Sequence, residues 1–207
     1  MLGGRALNRS DIFDFGLQLL EGCWHMYNST PTGISPEGFP LPRSSEIDML
    51  VWKWKSNDTI DEPHTQISRK EFASYGFWTI NRNYYLRPGT SPLPPFPLHI
   101  LTQVGVETME SLFYAYRLTG NKTYADRAWQ AFTYISALTR APHGYSSIRD
   151  VMTPGGWYQA DSQESFSLAE TLGYLYLMFD DPRRVSLDEW VFNTEGHPLR
   201  KGRRVEW

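Results

Sequence analysis

The sequence predicts an all-α fold, and three observations carry that expectation. Apolar residues recur at helical spacing in most regular segments, helix ends are marked by Gly and Asn, and no segment alternates convincingly as a strand would. In order along the chain, Asp11 is a plausible N-cap, with Phe15, Leu19 and Cys23 following at four-residue steps. Residues 69 to about 83 are aromatic and mixed, and read as helix. From Glu107 onward, Met109, Leu112, Phe113 and Tyr116 fall at i, i+3, i+4 and i+7, ending near Thr119-Gly120. Asn121 then caps a helix with Tyr124, Ala128, Phe132 and Ile135 on one face. Asp161 and Glu164 resemble a capping box, followed by an apolar stripe of Leu168, Leu172, Leu175, Tyr176 and Phe179. That makes about five helices, whose aromatic faces call for more partners than 207 residues supply.

Composition narrows function by exclusion. A formal net charge of −3 gives no basic footprint for nucleic acid. No stretch approaches the roughly 18 apolar residues of a membrane span, and the N-terminus has no targeting signal. The aromatic fraction of 15% permits sugar stacking but is expected first in the core. Four Asn-x-Ser/Thr sequons, at Asn8, Asn28, Asn57 and Asn121, are compatible with a glycoprotein. The lone Cys23 reads as a small buried apolar residue.

Two turn-rich stretches, residues 31–44 and 140–157, are long enough for binding loops. A third, GTSPLPPFPLHILTQVGV at 89–106, contains four prolines in its first half and breaks the helical pattern.

Five motifs in order resemble glycoside hydrolase family 47, the class I α-1,2-mannosidases. They are PTGISPE at 31–37, NYYLRP at 83–88, ETMESLFYAYRLTGNKTYADRAW at 107–129, DSQESFSLAETLGYLYLMFDD at 161–181 and VFNTEGHPL at 191–199. The resemblance covers the C-terminal portion of the family's catalytic domain, which implies a partial (αα)7 barrel of helical hairpins over residues 1–207. It also implies a Ca²⁺-dependent, inverting hydrolase of α-1,2-linked mannose on high-mannose N-glycans, working in the secretory pathway or secreted. The alternative is an inactive mannose-binding fragment or pseudoenzyme of that family.

By the same resemblance Glu107 is the general base and Thr194 the calcium ligand, through its hydroxyl and carbonyl oxygens. Arg87, Glu37, Glu110, Phe166, Glu170 and Glu195 match substrate-binding positions. Glu107 and Glu110, at i and i+3, share a helix face and can point into one cavity. The family's general acid and a further catalytic Asp belong to its N-terminal part, which no segment here matches. Cys23 aligns with half of a disulfide whose partner is missing here. In the family Arg-Pro directly precedes the base, whereas here residues 89–106 intervene. These 18 residues read as an insertion, of an in-frame length that a retained intron would give.

Overall fold

The computed structural model describes residues 1–40, 70–87, 91–93, 107–155 and 159–202. Helices dominate, as the periodicity predicts: α1 (Leu2–Ala6), α2 (Ser10–Ser29), α3 (70–75), α4 (Thr108–Thr119), α5 (Lys122–Thr139) and α6 (Gly173–Phe179). A π-helical segment, Ser167–Leu172, runs into α6 without a break. Helix α4 is central and packs on α2, α5 and α6. Its Met109, Leu112 and Phe113 are fully buried among Leu20, Trp24 and Tyr27 of α2, Ala128 of α5, and Tyr174, Leu175 and Met178 of α6. That core is the platform for everything that follows.

The predicted boundaries around α4 and α5 match the backbone. Gly120 ends α4 in the left-handed region at φ 71°, where a side chain would be strained. Asn121 accepts a hydrogen bond at 3.0 Å from the Thr123 N–H and so caps α5. Asn121→Ala is therefore expected to cost about 1 kcal/mol, read as a fall of roughly 2–4 °C in the thermal midpoint. Asn121→Asp, which keeps the acceptor, should restore it. Equal midpoints for the Ala and Asp variants would remove the cap from the account.

Five expectations need correction. The cap of α2 is Arg9, with Asp11 inside the first turn paired to the Arg9 guanidinium at 2.5 Å. The face of α2 that goes inward carries Leu20, Cys23, Trp24 and Tyr27, so Phe15 and Leu19 point outward at 59% and 55% exposure. Helix α3 stops at 75 because Gly76 turns the chain at φ 80°, and the run to 83 is not helical. Asp161 takes φ 38° and does not cap; Phe166 occupies the cap position, and Ser167 Oγ reaches back to the Glu164 carbonyl at 2.6 Å. After it, the π turn shifts the helical phase. Ser167, Glu170, Thr171, Tyr174, Leu175 and Met178 face inward, whereas Leu168, Tyr176 and Phe179 of the predicted stripe are exposed. A period of 3.6 read from the sequence misses a local change of period.

Among the described residues, three two-stranded ladders, which no alternation announced, trim the helical body. β1 (Gly38–Pro40) pairs in parallel with β2 (Ser91–Leu93), β3 (Arg140–Ala141) with β4 (Gly144–Tyr145), and β5 (Trp190–Phe192) with β6 (Pro198–Arg200), the last two antiparallel. At two or three residues each, they are too short for period two to register. β2 belongs to the insertion at 89–106, the rest of which lies outside the described residues, as do Asn57 and residues 41–44. Asn8, Asn28 and Asn121 are exposed. Cys23 is buried and free, and burial pushes its thiol up to about 11.

Candidate active site

Four elements bring carboxylates together. The loop before β1 carries Glu37, the start of α4 carries Glu107 and Glu110, the π segment carries Glu170, and the β5–β6 turn carries Thr194 and Glu195. Each placement has a local cause. The Glu37 N–H donates to the Asn83 carbonyl at 2.7 Å, which lays the 31–37 loop along the 81–87 loop. Glu107 is the cap residue of α4, so its side chain sits at a helix start while Glu110 lies one turn on. Asn193 Oδ1 accepts from the Glu195 and His197 N–H groups at 3.1 and 2.9 Å, folding the β5–β6 turn around Thr194. Gly196, at φ 71°, lets that turn lie against the π segment. A β-carbon there would stand 2.9 Å from the Ala169 carbonyl oxygen and 3.3 Å from Glu170 Cγ. Any larger residue at 196 would need the turn to shift.

Arg87 places a positive charge among these acids. Its Nε bonds Glu37 Oε1 at 2.9 Å, and its guanidinium carbon lies 5.0 Å from the centroid of the Phe166 ring. The residue before it, Leu86, is buried with φ 63°, a conformation a branched side chain adopts only under constraint. The constraint is visible: the Thr171 hydroxyl of the π segment donates to the Leu86 carbonyl at 2.7 Å. Behind the loop, Arg82 bridges Glu71 at 2.5 Å and Asp150 at 3.7 Å.

Electrostatics set these carboxyls apart from surface acids. Burial, then the neighbouring charges of Glu170 and Glu110, push the Glu107 carboxyl up to about 8, with Arg87 opposing and Glu37 adding a little. Burial also raises Glu110, against a hydrogen bond from Tyr174, and raises Glu37, against Arg87. Glu170 is raised by burial and then by Glu195 and Glu110. Among the described residues, Glu107 Oε2 and Glu37 Oε2 are buried with no hydrogen-bond partner. Buried polar atoms are nearly always paired in folded proteins, so such a pair marks a place built for something else.

These features describe a carboxylate-lined, partly desolvated site that can hold hydroxyl groups and take up a proton near neutral pH. Glu37 and Arg87 are in contact, as are Arg87 and Phe166; Glu107, Glu110, Glu170 and Glu195 are linked through their charges. Thr194 is exposed at the turn beside Glu195. An apolar groove of about 440 Å³ between α5 and α6, lined by Trp129, Phe132 and Phe179 among others, holds none of these residues.

The chain matches the sequence profile of Glycosyl hydrolase family 47 over residues 1–201. It belongs to that family. Relatives include mannosyl-oligosaccharide α-1,2-mannosidase 1B of Aspergillus phoenicis, 37% identical over 97% of this chain and 33% of that protein. The mannosyl-oligosaccharide α-1,2-mannosidase of Coccidioides posadasii is 35% identical, again over 97% of this chain and 33% of its own length. Among solved structures, the α-1,2-mannosidase from Trichoderma reesei superposes with a TM-score of 0.74 at 35% identity, covering 96% of this chain and 36% of that one. This family 47 chain thus spans about a third of the length of the relatives it matches.

Sequence reasoning missed Tyr174 and Thr171, which tie the π segment and α6 to Glu110 and to the Arg87 loop. A signal existed: Tyr174 stands four residues after Glu170, one helical turn away on the same face. The expected stripe instead mixed the inward Leu175 with Leu168, Tyr176 and Phe179, which are exposed.

Proposed function

We propose that this chain forms the substrate-holding part of a Ca²⁺-dependent, inverting α-1,2-mannosidase that acts on high-mannose N-glycans. The observation that carries the reading is Glu107: a half-buried carboxyl, titrating near 8, among further acids and one arginine. In an inverting hydrolase one carboxylate takes a proton from the attacking water while a separate acid protonates the leaving oxygen. Glu107 takes the first role, with Arg87 favouring its charged form. Glu37, Glu110, Glu170 and Glu195 accept hydrogen bonds from mannose hydroxyls, and Phe166 packs against the ring. The second carboxyl belongs to the N-terminal part of the family's domain. The helix pairs described above are read as one sector of its (αα)7 barrel.

The residues present fit calcium. Among the described residues, no group of three His, Cys, Asp or Glu side chains could cage a metal ion. The candidate ligand is instead Thr194, which offers a hydroxyl and a carbonyl oxygen at an exposed turn flanked by Glu195. Hard oxygen donors suit a hard cation that also takes water and ligand hydroxyls. Bound there, calcium would orient the sugar diol. An N-glycan substrate implies the secretory pathway or the cell exterior. No helix among the described residues is long and apolar enough to cross a membrane.

The test is calorimetry and mannose release with the disaccharide Man-α-1,2-Man, in Ca²⁺ and in EDTA. Binding that EDTA abolishes, without release of mannose, is the expected result for the chain alone. EDTA-sensitive release would make it a complete enzyme. Absence of both binding and release would overturn the reading.

A further inference from the structure

Tyr174 touches both walls of the carboxylate site. Its hydroxyl donates to Glu110 Oε1 at 2.9 Å, across from α6 to α4. Its ring, 3% exposed, is wedged between Phe113 and Phe192 with centroids 5.5 and 5.4 Å away, and those two rings meet edge-on at 5.7 Å. Phe113 lies one turn after Glu110 on α4. Phe192 ends β5, two residues before Thr194. One side chain therefore joins the helix of Glu107 and Glu110 to the strand that leads into the Thr194 turn.

Among the described residues, no second hydrogen bond holds the Glu110 side chain. Tyr174 is the one hydrogen-bond partner of its carboxylate among the described residues, and it occupies a single oxygen. A glutamate with one oxygen pinned keeps the other free and aimed, whereas an unpinned one samples several rotamers before each binding event. The ring cannot swing away, because displacing it would open a gap among buried aromatic groups.

We propose that Tyr174 is a positioning residue: it fixes Glu110 through Oε1 and presents Oε2 to a hydroxyl of the bound sugar. The sugar part of this statement rests on the mannosidase reading above. The charged and titratable groups that share this space are Glu107 on α4, Glu170 on the π segment and Tyr114 on α4.

The experiment compares the wild-type chain with Tyr174→Phe, which deletes one hydroxyl and keeps the ring, and with Tyr176→Phe on the exposed face of α6. Carboxyl NMR follows the titration of Glu110, and calorimetry follows Man-α-1,2-Man. The hydroxyl favours the charged form of Glu110, so Tyr174→Phe is expected to move that titration to higher pH and weaken disaccharide binding about tenfold. Tyr176→Phe is expected to change neither. A Glu110 curve in Tyr174→Phe that superimposes on the wild type would overturn the proposal. Should the wild type not bind the disaccharide at all, the mannosidase reading fails, while the Glu110 curves still decide the role of Tyr174.

Discussion

Replacing Glu107 by Gln is expected to raise the stability of the chain, and to do so only above mildly acidic pH. In the folded chain this carboxyl titrates near 8, against an ordinary value of 4.5. Below 4.5 both folded and unfolded chains hold the proton, and the residue contributes no pH dependence. Between 4.5 and 8 the unfolded chain has released a proton that the folded chain retains, so stability falls as pH rises, and the full penalty is reached above 8. The full linkage is on the order of 5 kcal/mol, reduced where solvent screens a partly open site. A neutral amide of the same shape removes that slope, and its N–H groups have Glu110 and Glu170 as prospective acceptors. Gln should therefore gain about 2–4 kcal/mol at pH 8.5, or roughly 5–10 °C in the melting midpoint, and nothing measurable at pH 4. Melting curves of the two proteins across pH 4–9 are the measurement, and a pH-independent difference would contradict it.

The second large effect lies at Arg87. Its partner Glu37 is only 12% exposed, while the arginine itself is 46% exposed. Arg87→Ala leaves a nearly buried carboxylate without its cation and uncovers one face of Phe166. Breaking a fully buried pair costs about 3–5 kcal/mol, and the half-exposed guanidinium reduces this to about 2 kcal/mol at pH 7. Glu107 also loses a charge that favours its ionised form, so its titration should move upward in the same variant. Adding Glu37→Gln should recover much of the stability, because the uncompensated charge is then gone. Urea midpoints of the two single variants and the double variant test this. Additive losses would mean that the two side chains do not act as a pair.

How much of this was legible in the sequence depends on the kind of signal. Helix α4 and the cap of α5 could be read from periodicity and from Gly120 and Asn121, since both follow rules that operate within one or two turns. The inward face of α2 was misjudged because Phe15 and Leu19 are apolar without being buried, and apolarity alone does not say which side meets the core. The acids were a different matter. Nothing local distinguishes Glu107 or Glu170 from solvated surface glutamates, and only the motifs around them drew attention to those positions. That they meet is a tertiary fact, made by the loop ending at Arg87, the start of α4 and the turn at Gly196. The bond between Tyr174 and Glu110 joins residues 64 apart and had no counterpart in any local pattern.

The π segment at 167–172 also bears on how this chain would respond to a change in length. A π turn accommodates one more residue than the α-helix around it, so it is equivalent to a single insertion lodged inside a helix. Removing one residue from it would leave a regular helix that is easier to form. Every side chain ahead of the deletion would then rotate by about 100° relative to Tyr174 and the rest of α6. Phe166 would swing off Arg87, and Thr171 or Glu170 would leave its present direction. Length changes tolerated in the surface loops would here scramble the site without unfolding the protein, so a one-codon deletion at this point separates foldability from function more cleanly than any substitution.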